Sequence, residues 1–349
     1  MDITIIDAPD YERVVEFKDS ALGLLGYIAV HSTQRGPAAG GVRMRPYGHA
    51  AEALNDALQL ARGMTFKNAA ADLPLGGGKA VIIGDPHVDK SPDLLRAFGQ
   101  AVQSLSGQYW TAEDMGMTPA DMAHIGSRTD FVAGLADGEF ASGDPSPITA
   151  RGIFNAIRVA AQHRFGRTDL DGLTISVQGL GHVGAHLCQL LHDAGARLIV
   201  TDIDARQSAR VAEQYAAQAV APDMIYGVEA DIFAPCAIGG ILNETSIPLL
   251  QFGAVAGGAN NQLASAGDAQ LLHQRGILYA PDFVANGGGI INVATEILRV
   301  EEREAWVADR LKALEQTMDR ILTRAKIEAV SPHEVAESIV HEMLRPKAA

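Results

Sequence analysis

Residues 50 to 70 place Leu54, Ala57, Leu58, Ala61 and Met64 at the three- and four-residue intervals of an amphipathic helix, and Asp72-Leu73-Pro74 then breaks the pattern. Lys67 therefore rides a helix end. After the break come Gly76-Gly77-Gly78-Lys79 and the apolar run Ala80-Val81-Ile82-Ile83, which reads as a short buried strand closed by Gly84-Asp85-Pro86. The pattern puts Lys79 where a loop enters a sheet. Ser91-Pro92 and Thr118-Pro119 each supply an N-cap and a first-turn proline, predicting two further helices, the first reaching about Leu105. Asp114 falls in the polar turn between them.

A second rhythm begins after Gly134 to Pro147, where Asp137-Gly138 and Gly143-Asp144-Pro145-Ser146-Pro147 exclude a long helix or a central strand. The domain boundary is placed there, giving 1–134 and 135–324. Leu173 to Val177 is a strand, a helix opens near Val183, and Ala196 to Thr201 is the next strand. Strand-like runs at Asp231 to Ala234, Ala254 to Ala256 and Ile277 to Tyr279 alternate with helical patterns, as a doubly wound parallel sheet requires. The fold class is α/β, an N-terminal α/β domain followed by a Rossmann-like one. From Glu301 the pattern is helical, and its end, Pro332 to Leu344, is an amphipathic helix that could pack back on the first domain.

Composition narrows the class. At 349 residues the chain fits two domains of ordinary size, with 47% hydrophobic and 20% charged residues. No apolar run approaches the ~18 residues of a membrane span. The acidic start Met1-Asp2-Ile3-Thr4 lacks the pattern of an export signal, so a cytoplasmic protein is expected. Cys188 and Cys236 sit in apolar stretches and are read as small hydrophobes. A net charge of −14 argues against a nucleic-acid partner.

Two groups of residues carry chemistry. Gly179-Leu180-Gly181-His182-Val183-Gly184 follows a strand and opens a helix, with Asp202 ending the next strand, so the loop can cradle a pyrophosphate and Asp202 can accept from ribose hydroxyls. A carboxylate at Asp202 repels a 2′-phosphate, which favours NAD over NADP. His182, His186, Cys188 and His192 are close enough to suggest a metal, but they lie in or just past the phosphate loop, where a cation would compete with the cofactor. No metal is expected. Gly78-Lys79 is not a nucleotide P-loop either, because Leu73 and Ala80 stand where that motif needs glycine and Ser or Thr. Lys79, beside the glycines and an apolar strand, is instead a candidate base, with burial and the neighbouring cation Lys67 expected to lower its pKa. Thr118 already caps the next helix, which frees Asp114 for proton transfer.

The chain resembles the Glu/Leu/Phe/Val dehydrogenase family over nearly its whole length, and within it the leucine-specific branch most closely. The resemblance rests on Gly36-Pro37-Ala38-Ala39-Gly40-Gly41-Val42-Arg43-Met44, Met64-Thr65-Phe66-Lys67-Asn68, Gly76-Gly77-Gly78-Lys79, Thr111-Ala112-Glu113-Asp114 and Pro145-Ser146-Pro147-Ile148-Thr149. It extends through Val177-Gln178-Gly179, Phe233-Ala234-Pro235-Cys236-Ala237, Ala259-Asn260-Asn261-Gln262 and Tyr279-Ala280-Pro281-Asp282. It implies that Lys67 holds the substrate carboxylate, that Lys79 is the general base activating water, and that Asp114 relays protons during imine hydrolysis. Gly40 and Gly41 would let substrate approach the backbone. Thr149 would meet the nicotinamide carboxamide and Asn261 would reach into the cleft between domains. Met64 joins the implied substrate contacts, and Cys236, Ala237 and Asn260 join the cofactor contacts. The resemblance also implies that residues 325–349 return to the first domain and that the protein is a homo-oligomer, octamer or dimer.

Substrate preference follows from the same likeness. Glutamate-specific relatives carry lysine and serine at the positions of Ala39 and Val293; here both are apolar, so a glutamate side chain would bury an unpaired charge. Ala112, Ile290 and Val293 then leave room for a branched aliphatic side chain. The expected activity is NAD-dependent oxidative deamination of Leu, Val or Ile. An aromatic substrate is the alternative, because Ala39 deepens the pocket and a few methylenes are worth only ~1–3 kcal/mol. A silent dinucleotide-sensing protein is the other.

Overall fold

The computed structural model describes residues 1–344. Among the described residues the chain divides into two compact units, Met1–Asp144 with Ile290–Val307, and Pro145–Gly289 with Ala308–Leu344.

In the first unit the order is β1 (Asp2–Ile6), β2 (Arg13–Asp19), β3 (Leu24–Ser32), β4 (Ala38–Ala39), β5 (Val42–Arg45), α1 (Ala50–Ala70), β6 (Gly76–Ile83), α2 (Pro92–Ser104), β7 (Tyr109–Trp110) and α3 (Pro119–Gly126). The strands form one mixed sheet ordered β1-β2-β3-β6-β4-β7, with β5 also paired to β6. Strands β1, β2, β3 and β6 run antiparallel in turn, whereas β4 and β5 lie parallel to β6.

Strand periodicity sorts the side chains between two cores. Val15, Phe17, Ile28, Val42, Met44, Ala80 and Ile82 pack with Leu94, Phe98 and Val102 of α2 and with Met122 and Ile125 of α3. Val14, Tyr27, Ala29 and Val81 face the other way, onto Ala53, Ala57 and Ala61 of α1. Those three alanines, one per turn and fully buried, let α1 lie close on the sheet. Ser91 caps α2 by accepting from the Leu94 N–H, and Thr118 and Asp121 form a reciprocal capping box on α3, as the Ser-Pro and Thr-Pro pairs indicate.

One expectation is corrected. The glycine run is not a loop entering the sheet; Gly76 to Gly78 are strand residues of β6, and Lys79 lies mid-strand opposite Ala29. The cause is close packing. A Cβ at Gly77 would fall 2.1 Å from the Thr65 backbone nitrogen, and one at Gly76 would fall 1.9 Å from the Ser32 carbonyl oxygen. Strand propensity has no weight at positions where only a hydrogen atom fits.

The second unit contains α4 (Ser146–Phe165), β8 (Thr174–Gln178), α5 (His182–Asp193), β9 (Arg197–Thr201), α6 (Ala205–Tyr215), β10 (Gln218–Ala219), β11 (Ile232–Pro235), β12 (Ala254–Val255), α7 (Ala266–Gln274), β13 (Leu278–Tyr279) and α8 (Asp282–Ala285). Beyond these come α9 (Gly288–Ile297), α10 (Arg303–Glu328) and α11 (Pro332–Leu344); Ile290–Val307, expected in the 135–324 domain, groups with the first unit, where Glu296 accepts from the Gly134 and Ser142 N–H groups, and not with the second. Its six strands are all parallel and ordered β10-β9-β8-β11-β12-β13, the doubly wound arrangement in which the strand order reverses beside the first strand, β8.

The C-terminal helix departs from expectation. Instead of returning to the first unit, α11 belongs with the second, where it packs against β13. Its buried face of Val335, Ala336, Ile339 and Val340 drives this docking, and the His333 ring lies 6.5 Å from that of Tyr279. Residues 345–349 of that expectation lie outside the described residues.

Candidate active site

Lys79 shares its side of β6 with Val81 and Gly77, the side covered by α1. Its side chain is 7% exposed, and its Nζ lies 2.6 Å from Oδ2 of Asp114, whose side chain is 24% exposed. Lys67 sits in the last turn of the same helix α1. The loop carrying Asp114 is tied down on both sides, since the Val42 N–H donates to the Ala112 carbonyl and the Met44 N–H to that of Met115. Gly116 completes the turn at φ +81°, where a Cβ would meet the Met44 carbonyl oxygen at 2.2 Å.

The carboxylate is surrounded by cations. Arg43 on β5 donates from Nε to the same Asp114 oxygen at 3.2 Å. Burial pushes the Asp114 carboxyl up, but the charges of Lys79 and Arg43, the Lys79 hydrogen bond and the Met115 N–H outweigh it and hold the group down at about 2, against an ordinary 3.8. The charged partner of Lys79 in the structure is the Asp114 carboxylate. Arg43 received no role from the sequence. Its signal was the alternation of Val42-Arg43-Met44-Arg45, which turns Arg43 away from the core holding Val42 and Met44 and towards α1.

Gly40 and Gly41 connect β4 to β5. A Cβ on Gly40 would lie 2.0 Å from the Gly78 carbonyl oxygen and one on Gly41 would lie 2.9 Å from Cβ of Asp114. Glycine is demanded here by packing within the protein, whatever approaches from outside. The buried Tyr109 hydroxyl donates to the Gly40 carbonyl at 2.7 Å and so holds this crossing in place.

The structure brings Lys79, Asp114, Gly40, Gly41 and Met64 together, for Met64 Cγ would sit 2.9 Å from a Cβ on Gly40. Ala39 and Ala112 are buried in the same sheet region, Ala39 completely. Ile290 is buried and Val293 half-buried on α9.

In the second unit the dinucleotide loop follows β8 and opens α5. Its three glycines differ in cause. Gly179 adopts φ +91° with a would-be Cβ 2.7 Å from that of Ala237, and a Cβ on Gly184 would meet the Gly179 carbonyl oxygen at 1.9 Å. At Gly181 a Cβ would meet nothing within 4 Å. Gly181 caps α5 without a side-chain hydrogen bond, so the first-turn N–H groups of this helix suit an anion. Asp202 Oδ2 accepts from the Leu180 N–H at 2.7 Å and its Oδ1 from the Asp204 N–H at 2.9 Å. Each oxygen keeps a second lone pair for a ribose hydroxyl. Gly184 approaches Cys236, and a Cβ on Gly258 would lie 3.5 Å from Val183 Cγ1. His182 is exposed at the start of α5. Thr149 lies in the first turn of α4, its hydroxyl donating to the Pro145 carbonyl. Asn260 accepts from the Asn286 amide at 2.9 Å, and Asn261 is exposed with φ +52°. These residues fit a nicotinamide dinucleotide.

Comparison with known proteins gives matching results. The family model "Glu/Leu/Phe/Val dehydrogenase, dimerisation domain" matches residues 11–130, and "Glutamate/Leucine/Phenylalanine/Valine dehydrogenase" matches residues 200–342. The chain is 48% identical to a leucine dehydrogenase of Geobacillus stearothermophilus over 96% of its own length and 91% of that protein. It is 44% identical to a phenylalanine dehydrogenase of Caldalkalibacillus thermarum, covering 99% of this chain and 94% of the relative. The crystal structure of the L-tryptophan dehydrogenase of Nostoc punctiforme superposes with a TM-score of 0.84 at 40% identity, covering 96% of each chain.

Proposed function

From the premise that the chain belongs to the Glu/Leu/Phe/Val dehydrogenase family and is an amino acid dehydrogenase acting on CH–NH2 groups, we propose that it deaminates branched-chain L-amino acids reversibly with NAD. The observation that carries this reading is the Lys79–Asp114 pair at 2.6 Å, a buried amine and a half-buried carboxylate joined by one proton path. Lys67 holds the substrate carboxylate as a point charge. Lys79 Nζ takes the proton of a water that adds to the imine carbon. Asp114 passes that proton to the amino nitrogen, and ammonia leaves as the carbinol hydroxyl returns its own proton to Lys79 Nζ and becomes the carbonyl. The bound dinucleotide supplies the hydride acceptor. Gly179, Leu180, Gly181, His182, Val183 and Gly184 hold its pyrophosphate, Asp202 its ribose, and Thr149, Cys236, Ala237 and Asn260 line the remainder; Asn261 contacts substrate.

The apolar Ala39, Ala112, Ile290 and Val293 leave a substrate carboxylate side chain unpaired, so glutamate is rejected. Purified protein is expected to reduce NAD with leucine, valine and isoleucine faster than with phenylalanine or tryptophan. Equal or greater kcat/KM on the aromatic substrates would move the assignment to that class. NAD preference rests on the Asp202 carboxylate, and equal use of NADP would count against it.

The glycine geometry supplies a further expected result. Gly181→Ala meets no protein atom and folds with an unchanged thermal midpoint, yet its methyl group stands where the pyrophosphate must come close. NADH affinity, followed by fluorescence titration, is expected to fall by about tenfold or more. Full affinity would show that the dinucleotide does not lie on this loop.

We also assign a homo-oligomer, an octamer or dimer. Supporting it, β1 is the sheet edge and leaves Ile3 and Ile5 38% and 71% exposed. Among the described residues no helix is long and apolar enough to cross a membrane. A cytoplasmic location completes the reading.

A further inference from the structure

We propose that Arg43 is a positioning residue for the Lys79–Asp114 pair: its guanidinium, braced from behind by Asp56 and Tyr47, aims Asp114 Oδ2 at the lysine amine and shares its negative charge. The inference rests on the proposed deamination. Its basis is a continuous chain of polar contacts on the α1 side of the sheet. Tyr47 donates its hydroxyl to Asp56 Oδ2 at 2.6 Å, and Arg43 Nη1 donates to that same oxygen at 3.3 Å. Arg43 Nε then reaches Asp114 Oδ2 at 3.2 Å, and Lys79 Nζ reaches it at 2.6 Å. A planar guanidinium can span two carboxylates in fixed directions, which a single ammonium cannot do. The side chains of Arg43 and Asp56 are only 15% and 20% exposed, so solvent screens these contacts weakly.

The charge argument sets a direction. With Arg43 in place, the Asp114 carboxylate divides its attraction between two cations. Without it, the whole anionic charge falls to Lys79, and the pair gives up a proton less readily. The groups around Asp114 are Lys79 from β6, Arg43 from β5, Tyr109 from β7 and Glu113 from its own loop, with Asp56 beyond Arg43 on α1 and Lys67 in the last turn of that helix. Burial pushes the Tyr109 hydroxyl far up, so it stays protonated. Glu113 is pushed up by burial and then by Asp121, Asp144 and Asp114. Arg43 is therefore the cation that shares Asp114 with the amine.

The test is a pH profile of kcat and kcat/KM for leucine deamination in Arg43→Met, Arg43→Lys and Tyr47→Phe. Arg43→Met is expected to lower kcat by roughly 10- to 100-fold, the scale of a misplaced catalytic group, while KM changes less. The ascending limb of its kcat/KM profile moves to higher pH by about one unit. Arg43→Lys recovers part of the shift because it keeps the charge but loses the fork. Tyr47→Phe removes one hydroxyl from the brace and moves both quantities in the same direction by less.

A wild-type limb and kcat in Arg43→Met would overturn the proposal. So would lost activity with an unmoved limb in all three variants, which marks a purely structural role, or a raised KM with unchanged kcat, which places Arg43 on the substrate. Carbamoylation of Lys79 by cyanate, followed by peptide mass spectrometry across pH, reads the amine without turnover. Its pH dependence is expected to shift upward in Arg43→Met, and no shift would also overturn the proposal. If the wild-type protein deaminates no amino acid, the functional reading fails, while the cyanate profile still decides the role of Arg43.

Discussion

Replacing Lys79 by alanine is expected to lower turnover by about 10²- to 10⁴-fold, the range set by loss of a positioned general base. The amine is buried mid-strand, with its Nζ 2.6 Å from Asp114, and alanine leaves that carboxylate without a proton donor or acceptor on β6. NADH affinity should persist, because the dinucleotide loop Gly179 to Gly184 belongs to the other unit and rests on β8 and α5. Single-turnover kinetics with leucine, alongside NADH fluorescence titration, separates the two effects. Normal turnover would refute the assignment of the base. The fold should survive, since Asp114 keeps Arg43 as a cationic partner.

Asp114→Asn is expected to act on both rate and stability. The amide keeps the shape of the side chain but cannot carry a proton from Lys79, so kcat falls by about 10²- to 10⁴-fold. At neutral pH the substitution leaves two inward-facing cations, Lys79 and Arg43, without their shared anion, at a cost of about 1–3 kcal/mol. The pH dependence has a definite sign. The folded carboxyl is held down at about 2 against 3.8, so its stabilisation is fully present above roughly pH 4 and is lost as pH falls through 2. Denaturant midpoints measured from pH 2 to 7 should therefore differ most between wild type and variant at neutral pH and converge in acid. A gap that stays constant across that range would show that the carboxylate is not held by these charges.

Much of this arrangement was legible along the chain. Ser91-Pro92 and Thr118-Pro119 marked two helix starts because capping is a local matter, settled by one side chain and the next turn. The alternation of strands and helices from Leu173 onward indicated a parallel sheet, since a buried parallel strand must be apolar and its crossover helix must be amphipathic. Lys67 at a helix end and Asp114 in a turn were equally local.

Other features depended on what lies across the fold. The glycines before Lys79 read as a loop, yet they are strand residues, because Thr65, Ser32 and Tyr109 crowd them from neighbouring elements. The fourth member of the site, Arg43, was visible only as an arginine between apolar residues until β5 was seen beside β6. The amphipathic face of α11 indicated that it must dock, but which unit it covers was set by the apolar surface around β13.

By itself, then, the order of residues determined the starts of α2 and α3, the doubly wound half, the glycine turn between β8 and α5, and the place of Lys67 at a helix end. All of these follow from local periodicity or from short-range steric rules. The tertiary structure alone decided that a lysine and an aspartate from separate segments meet at 2.6 Å, that an arginine reaches the same carboxylate oxygen, and which glycines are crowded and which lies open. Those facts arise from contacts between positions far apart in sequence, whose distances no local pattern encodes.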